Sequence, residues 1–246
     1  MKNIFIYFGI LIFTISTSFS QNLEGAWKLM EKDGEEVSGT ETVKIYQNGY
    51  FAFGTKEVPS NSFVRAGGGE FTTDGVYTEY YDFHTANPDL IGIDRAYEFQ
   101  LENEKLFLTR PDGTEEVWHR LSNKENDLSG NWVFTGRKQN DEISRSTPGD
   151  RRTVKILGGG RFQWIAFNSQ TKEFSGTGGG TYTAEDGVYT ENIEFFSRDD
   201  SRVGAQLQFN YEIKDGDWHH SGKSSKGDPM YEIWSPYKEA YQGARF

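Results

Sequence analysis

Apolar and polar residues alternate in short runs along most of this chain, a period of two that marks half-buried strands. From Val76 one face carries Val76, Thr78, Tyr80 and Asp82, and the other carries Tyr77, Glu79, Tyr81 and Phe83. From Val188 the faces are Val188, Thr190, Asn192 and Glu194 against Tyr189, Glu191, Ile193 and Phe195. Turn signals break up the runs. Asn48-Gly49 and Asp112-Gly113 suit tight hairpins because both residue types tolerate positive φ, and Asp74-Gly75 marks another turn. The pattern predicts eight strands near 26–31, 41–47, 50–56, 68–73, 75–84, 93–101, 105–110 and 114–121. It predicts eight more near 131–138, 152–157, 161–167, 178–184, 187–197, 203–213, 217–222 and 230–235. No segment carries a convincing 3.6-residue period, although the tail after Tyr237 has room for a short helix.

The two sets of strands are copies of one another. Leu23-Glu24-Gly25-Ala26-Trp27 returns as Leu128-Ser129-Gly130-Asn131-Trp132, and Thr42-Val43-Lys44-Ile45 as Thr153-Val154-Lys155-Ile156. Gly67-Gly68-Gly69 matches Gly178-Gly179-Gly180, and Glu116-Val117-Trp118 matches Glu232-Ile233-Trp234. Asp74 to Glu79 returns without a change as Asp186 to Glu191. The chain is thus a duplication, residues 22–122 and 128–237, joined by the polar stretch 123–127. A unit of this length is a small domain rather than a solenoid repeat. Eight antiparallel strands in sequence close most simply as an up-and-down barrel, which removes the exposed edges. The expected fold is all-β, with two tandem eight-stranded barrels.

An opening Leu-x-Gly-x-Trp followed by about eight strands resembles the lipocalins and their calycin relatives, here twice over. The resemblance implies that a basic residue from the last strand lies over the opening tryptophan. Arg120 is placed to do this for Trp27, whereas Pro236 stands at the matching place in the second copy. Each copy is shorter than a typical lipocalin, which implies a shallow cavity. The whole is similar to small lipocalin-like proteins that bacteria secrete.

Residues 1–20 differ from the rest. Lys2 precedes an apolar run from Ile4 to Ile15, and Ser18-Phe19-Ser20 then offers small residues at the −3 and −1 positions. That is the pattern of a secretory signal peptide, and the run is short for a membrane span. The protein is therefore expected to be secreted or periplasmic, with no membrane span in the mature chain. The formal net charge is −11, or −12 once Lys2 is removed with residues 1–20, which argues against a nucleic-acid partner. With no cysteine, there is no disulfide framework and no thiolate site. With 19 Phe, 13 Tyr and 6 Trp, the chain has the material for packed cores.

The more apolar face of each alternating strand should line the barrel. This places Trp27, Tyr77, Glu79, Phe83, Glu116 and Trp118 in the first interior, and Trp132, Tyr189, Glu191, Phe195, Glu232 and Trp234 in the second. A carboxylate among aromatic rings needs a cationic or hydrogen-bonding partner, or it becomes protonated. In the functional reading these residues bind a small amphiphilic or aromatic ligand, the carboxylates orienting its polar end. In the structural reading each Glu pairs with an Arg or a backbone amide, or sits at a wet rim. The barrels are then filled modules that present loops to a protein or glycan. A third reading makes Glu79 with Glu116, or Glu191 with Glu232, the acid and base of a glycan-active enzyme.

The remaining candidates are weaker. The glycine triplets lack the strand–loop–helix context of a phosphate cradle and read as turns or bulges. The histidines, His84, His119, His219 and His220, are not matched between copies, and adjacent His219 and His220 should face opposite ways. No metal and no cofactor is expected. An outer-membrane barrel requires an apolar outward band, and the presumed outer faces carry Thr42, Lys44, Thr78, Asp82, Thr190 and Glu194.

Overall fold

The computed structural model describes residues 22–223 and 227–245. The expected export signal at 1–20 lies outside the described residues. The first unit contains β1 (Gly25–Lys32), β2 (Glu35–Glu36), β3 (Thr40–Gln47), β4 (Tyr50–Glu57), β5 (Phe63–Thr72), β6 (Tyr77–His84), β7 (Asp94–Glu102), β8 (Lys105–Thr109) and β9 (Glu115–Ser122). The second contains β10 (Gly130–Gln139), β11 (Glu142–Arg145), β12 (Arg151–Gly158), β13 (Arg161–Asn168), β14 (Glu173–Glu185), β15 (Val188–Phe196), β16 (Gln206–Lys214), β17 (Asp217–Lys223) and β18 (Pro229–Pro236). Helix α1 (Tyr237–Ala240) follows.

Each sheet runs in sequence order and closes on itself, through β1–β9 and β10–β18. The protein is thus two tandem, closed, eight-stranded antiparallel barrels. The short strands β2 and β11 extend the first hairpin of each without joining the ring. Their residues, Glu35-Glu36 and Glu142 to Arg145, are exposed and carry no apolar alternation, so the sequence pattern does not reveal them.

One end of the first barrel is plugged by Leu23 and Trp27. The Trp27 Nε1–H donates to Leu23 O at 2.8 Å, and the Arg120 guanidinium lies 4.1 Å from the ring centre. Arg120 also donates to Glu24 O at 2.6 Å and to Asn22 O at 2.9 Å, tying the lead-in segment to the last strand. In the second barrel Trp132 keeps its bond to Leu128 O, but it pairs with Pro236 and packs edge-on against Trp218.

The glycine triplets sit on β5 and β14 opposite bulges in β6 and β15. A Cβ on Gly69 would lie 1.8 Å from Tyr80 O, and one on Gly180 would lie 1.9 Å from Asn192 O. Only glycine lets the paired strand come this close. The bulge has a second effect, because it reverses the alternation of β6 after Tyr81 and of β15 after Ile193. Phe83 and Phe195, expected to line the interiors, are thereby turned outward. His84 and Phe196 take the inward places.

These outward residues are buried because the barrels pack wall to wall. Phe83 stacks on Phe167 at 5.3 Å between ring centres, and Phe63 stacks on Phe195 at 6.2 Å. Ile45, Tyr50 and Ala52 from one wall meet Val154, Ile156 and Ile165 from the other, with Tyr237 of α1 in the same cluster. A Cβ on Gly54 would collide with the Phe195 ring at 2.5 Å. Arg152 reaches across to Asp82 at 2.7 Å, and Lys56 to Glu194 at 3.5 Å. The acidic outer positions Asp82 and Glu194 therefore serve the contact between barrels. Thr42 and Lys44, assigned above to the outer face, point inward: Thr42 shares a hydrogen with Thr55 at 2.9 Å and Lys44 is 4% exposed.

Candidate functional site

Each interior is organised around one buried ion pair. Lys44 Nζ lies 2.8 Å from Glu79 Oε1, and Lys155 Nζ lies 2.8 Å from Glu191 Oε1. The two lysines occupy the same place in the repeated Thr-Val-Lys-Ile segment, and the two glutamates end the identical hexapeptide. Aromatic faces surround both ammonium groups. Lys44 lies 4.9 Å from the Trp118 ring centre, and Lys155 lies 5.3 Å from the rings of Tyr189, Trp218 and Trp234. The partner demanded by an inward glutamate is thus this lysine. Assigning Lys44 to the outer face hid it, although its repetition and its alternation with Thr42 and Tyr46 were the available signals.

The copies differ in what covers the carboxylate. In the first barrel Tyr77 donates to Glu79 Oε1 and Tyr81 to Oε2, both at 2.6 Å. Tyr46 meets the Tyr77 hydroxyl at 2.7 Å, and Tyr97 lies near the Tyr81 hydroxyl at 3.4 Å. Glu79 is wholly buried. Burial raises its pKa, but Lys44 and the two tyrosine hydroxyls outweigh that and hold it down at about 2. In the second barrel Tyr189 still donates to Glu191 Oε1, at 2.8 Å. The counterparts of Tyr46, Tyr81 and Tyr97 are Leu157, Ile193 and Phe209, and none has a hydroxyl. Glu191 therefore borders an open space instead of a tyrosine lid.

That space is a cavity of about 300 Å³ at the mouth of the second barrel. Trp164, Phe196, Leu207, Phe209, Met230 and Trp234 form its apolar walls. Its polar groups are Thr153, Lys155, Glu191, Glu232, His220 and Arg202. Trp234 Nε1–H donates to Glu232 Oε2 at 3.1 Å, and His220 Nδ1 lies 3.4 Å from the same oxygen. Burial pushes the His220 pKa down against the pull of Glu232, so the ring is neutral near pH 7. Burial raises Glu232, but His220 and Lys155 outweigh this and keep it ionised. His220 Nδ1 faces Glu232, while its Nε2 lacks a hydrogen-bond partner among the described residues, although the ring is 1% exposed. His219 points the opposite way, to Tyr231, as adjacency on a strand requires.

The first barrel has a corresponding cavity of about 240 Å³, bordered by Glu116 and Trp118 but not by Glu79. Glu116 is held by Arg110 and by the Trp118 Nε1–H. The twelve sequence-predicted residues thus divide. Glu191, Glu232 and Trp234 converge on the second cavity, and Glu116 and Trp118 on the first. Tyr77, Glu79 and Tyr189 lie beneath in the buried networks, and Trp27 and Trp132 plug the opposite parts of the cores. Phe83 and Phe195 belong to the wall between barrels. The sequence reading missed Lys155, His220, Trp164 and Phe196. Trp164 follows Phe162 at period two and was open to the same reasoning.

No group of three or more acidic or histidine side chains among the described residues is arranged to hold a metal. No helix among them is long and apolar enough to cross a membrane. In architecture the two closed barrels fit a lipocalin-like fold. Residues 127–240, which span the second barrel and α1, match the model of a domain of unknown function, DUF4488. No curated protein matches the chain.

Proposed function

We propose that the protein is exported and binds, without catalysis, a small amphiphilic or aromatic molecule in its second barrel. The observation that carries this reading is the loss of the tyrosine lid over Glu191. The same scaffold that seals Glu79 leaves Glu191 beside an aromatic-walled cavity that His220 also lines, its Nε2 without a hydrogen-bond partner among the described residues. Its volume is at the small end of ligand sites, which combine apolar walls with a few convergent polar groups. In this reading Trp164, Phe196 and Trp234 cover the apolar body, and Glu191, Lys155 and His220 receive the polar end.

A glycan-cleaving pair is less well supported. Glu79 is sealed from solvent, and Glu232 is held ionised instead of being kept as a proton donor. The tyrosine-filled core of the first barrel favours a structural role for that interior.

Native mass spectrometry of the gently purified protein tests the proposal. A reproducible added mass, lost on unfolding and absent from Trp164→Ala, is the expected result. A clean apo mass for the wild type, or an adduct that survives in both Trp164→Ala and Glu191→Gln, would overturn it.

A further inference from the structure

The mouths of the two barrels have diverged in charge, although the ion pairs beneath them have not. Arg65, His84 and Arg110 border the first cavity, and the strand registers place Gly176, Phe196 and Gly222 at the corresponding positions of the second. Lys32 stands at the same rim. In a chain of net charge −11 this is a local concentration of positive groups.

The charges there are not cancelled. Lys44 is matched by Glu79, and Glu116 is matched by Arg110. Arg65 and Lys32 form no ion pair among the described residues. Arg110 directs Nε and one terminal nitrogen to a single Glu116 oxygen, at 2.9 and 2.5 Å, so its other terminal nitrogen is free of that carboxylate. His84 Nδ1 accepts from the Asn87 N–H at 2.9 Å, which puts its proton on Nε2 and makes it a donor. Burial first, and then the charges of Arg65 and Arg110, lower the His84 pKa to about 4. Independently of that shift, both guanidiniums line the same cavity as His84. Phe53 and Trp118 supply flat apolar surface beside it.

We infer that the mouth of the first barrel binds a small organic anion, its oxyanion held by Arg65, Arg110 and Lys32 and its flat apolar body against Phe53 and Trp118. Guanidinium groups suit carboxylate and phosphate oxygens because they offer paired, planar donors. This site is independent of the ligand proposed for the second barrel.

The test is titration of the ¹⁵N-labelled full chain with phenyl phosphate, benzoate, inorganic phosphate and neutral benzyl alcohol. Phenyl phosphate or benzoate should shift the Nε–H signals of Arg65 and Arg110. Affinity should fall on the order of tenfold in Arg65→Gln, the loss of one charge-assisted contact, and should fall again as salt is added. Trp164→Ala, which damages only the second cavity, should leave this binding unchanged. Equal binding of benzyl alcohol, unchanged affinity in Arg65→Gln, or no shift up to on the order of 10 mM ligand would overturn the inference. Inorganic phosphate binding as tightly as phenyl phosphate would overturn the assignment of an apolar body.

Discussion

Replacing Lys44 by methionine removes one member of a buried pair and keeps most of the side-chain volume. Glu79 would then have two tyrosine hydroxyls and no cation, at a site with no exposed surface. Breaking a buried pair from one side costs about 3–5 kcal/mol, because the remaining charge has no compensation. For a chain of this size, at about 2–4 °C per kcal/mol, the melting temperature should fall by about 6–20 °C. The double change Lys44→Met with Glu79→Gln removes both charges and should recover most of that loss. Lys155→Met should cost less, because Glu191 borders a cavity that water can enter. Urea unfolding followed by tryptophan fluorescence, with circular dichroism as a second probe, measures all three. A loss below about 1 kcal/mol in Lys44→Met, or a double variant no more stable than the single, would refute the view that this pair organises the barrel.

The pH dependence follows from the same pair. The Glu79 pKa is about 2 when folded and 4.5 in its ordinary state, so its contribution is complete above pH 4.5 and is lost as pH falls toward 2; acid unfolding of Glu79→Gln should show a shallower slope there. His84 is also depressed, from 6.5 to about 4, so stability should decline as pH falls from 6.5 toward 4. His84→Gln should reduce that decline in a series of melts. Phe83→Ala empties a stacked position between the barrels and should cost about 3–5 kcal/mol by denaturant titration. Gly69→Ala would drive a methyl into Tyr80 O and should prevent recovery of folded protein, whereas Gly75→Ala meets open space at its Cβ and only the strain of its φ of +80°, a cost of about 1–2 kcal/mol, and should still fold.

Much of the fold could be read from alternation and turn residues, and the hexapeptide repeat exposed the duplication. Alternation failed after Tyr81 and Ile193 because a bulge adds a residue without changing composition. Phe83 and Phe195 look as suited to an interior as to a wall between barrels. The glycine triplets did signal a bulge, but not its effect on the facing of the next residue. Lys44 was misplaced for a different reason. A lysine on a strand normally faces water, and its partner is 35 positions away. The opening of the second cavity depends on three tyrosines replaced at positions whose convergence only the closed ring shows.

The wall shared by the barrels gives the duplication an evolutionary consequence. Two copies joined by a linker can ordinarily be lost, reshuffled or borrowed by another gene one at a time. Here each copy has grown a surface fitted to its sibling, with Phe83 set on Phe167 and Arg152 reaching Asp82. Deleting either would leave the survivor with a bare apolar flank and an orphaned charge. The two copies are tied together by that wall, although their mouths carry different side chains.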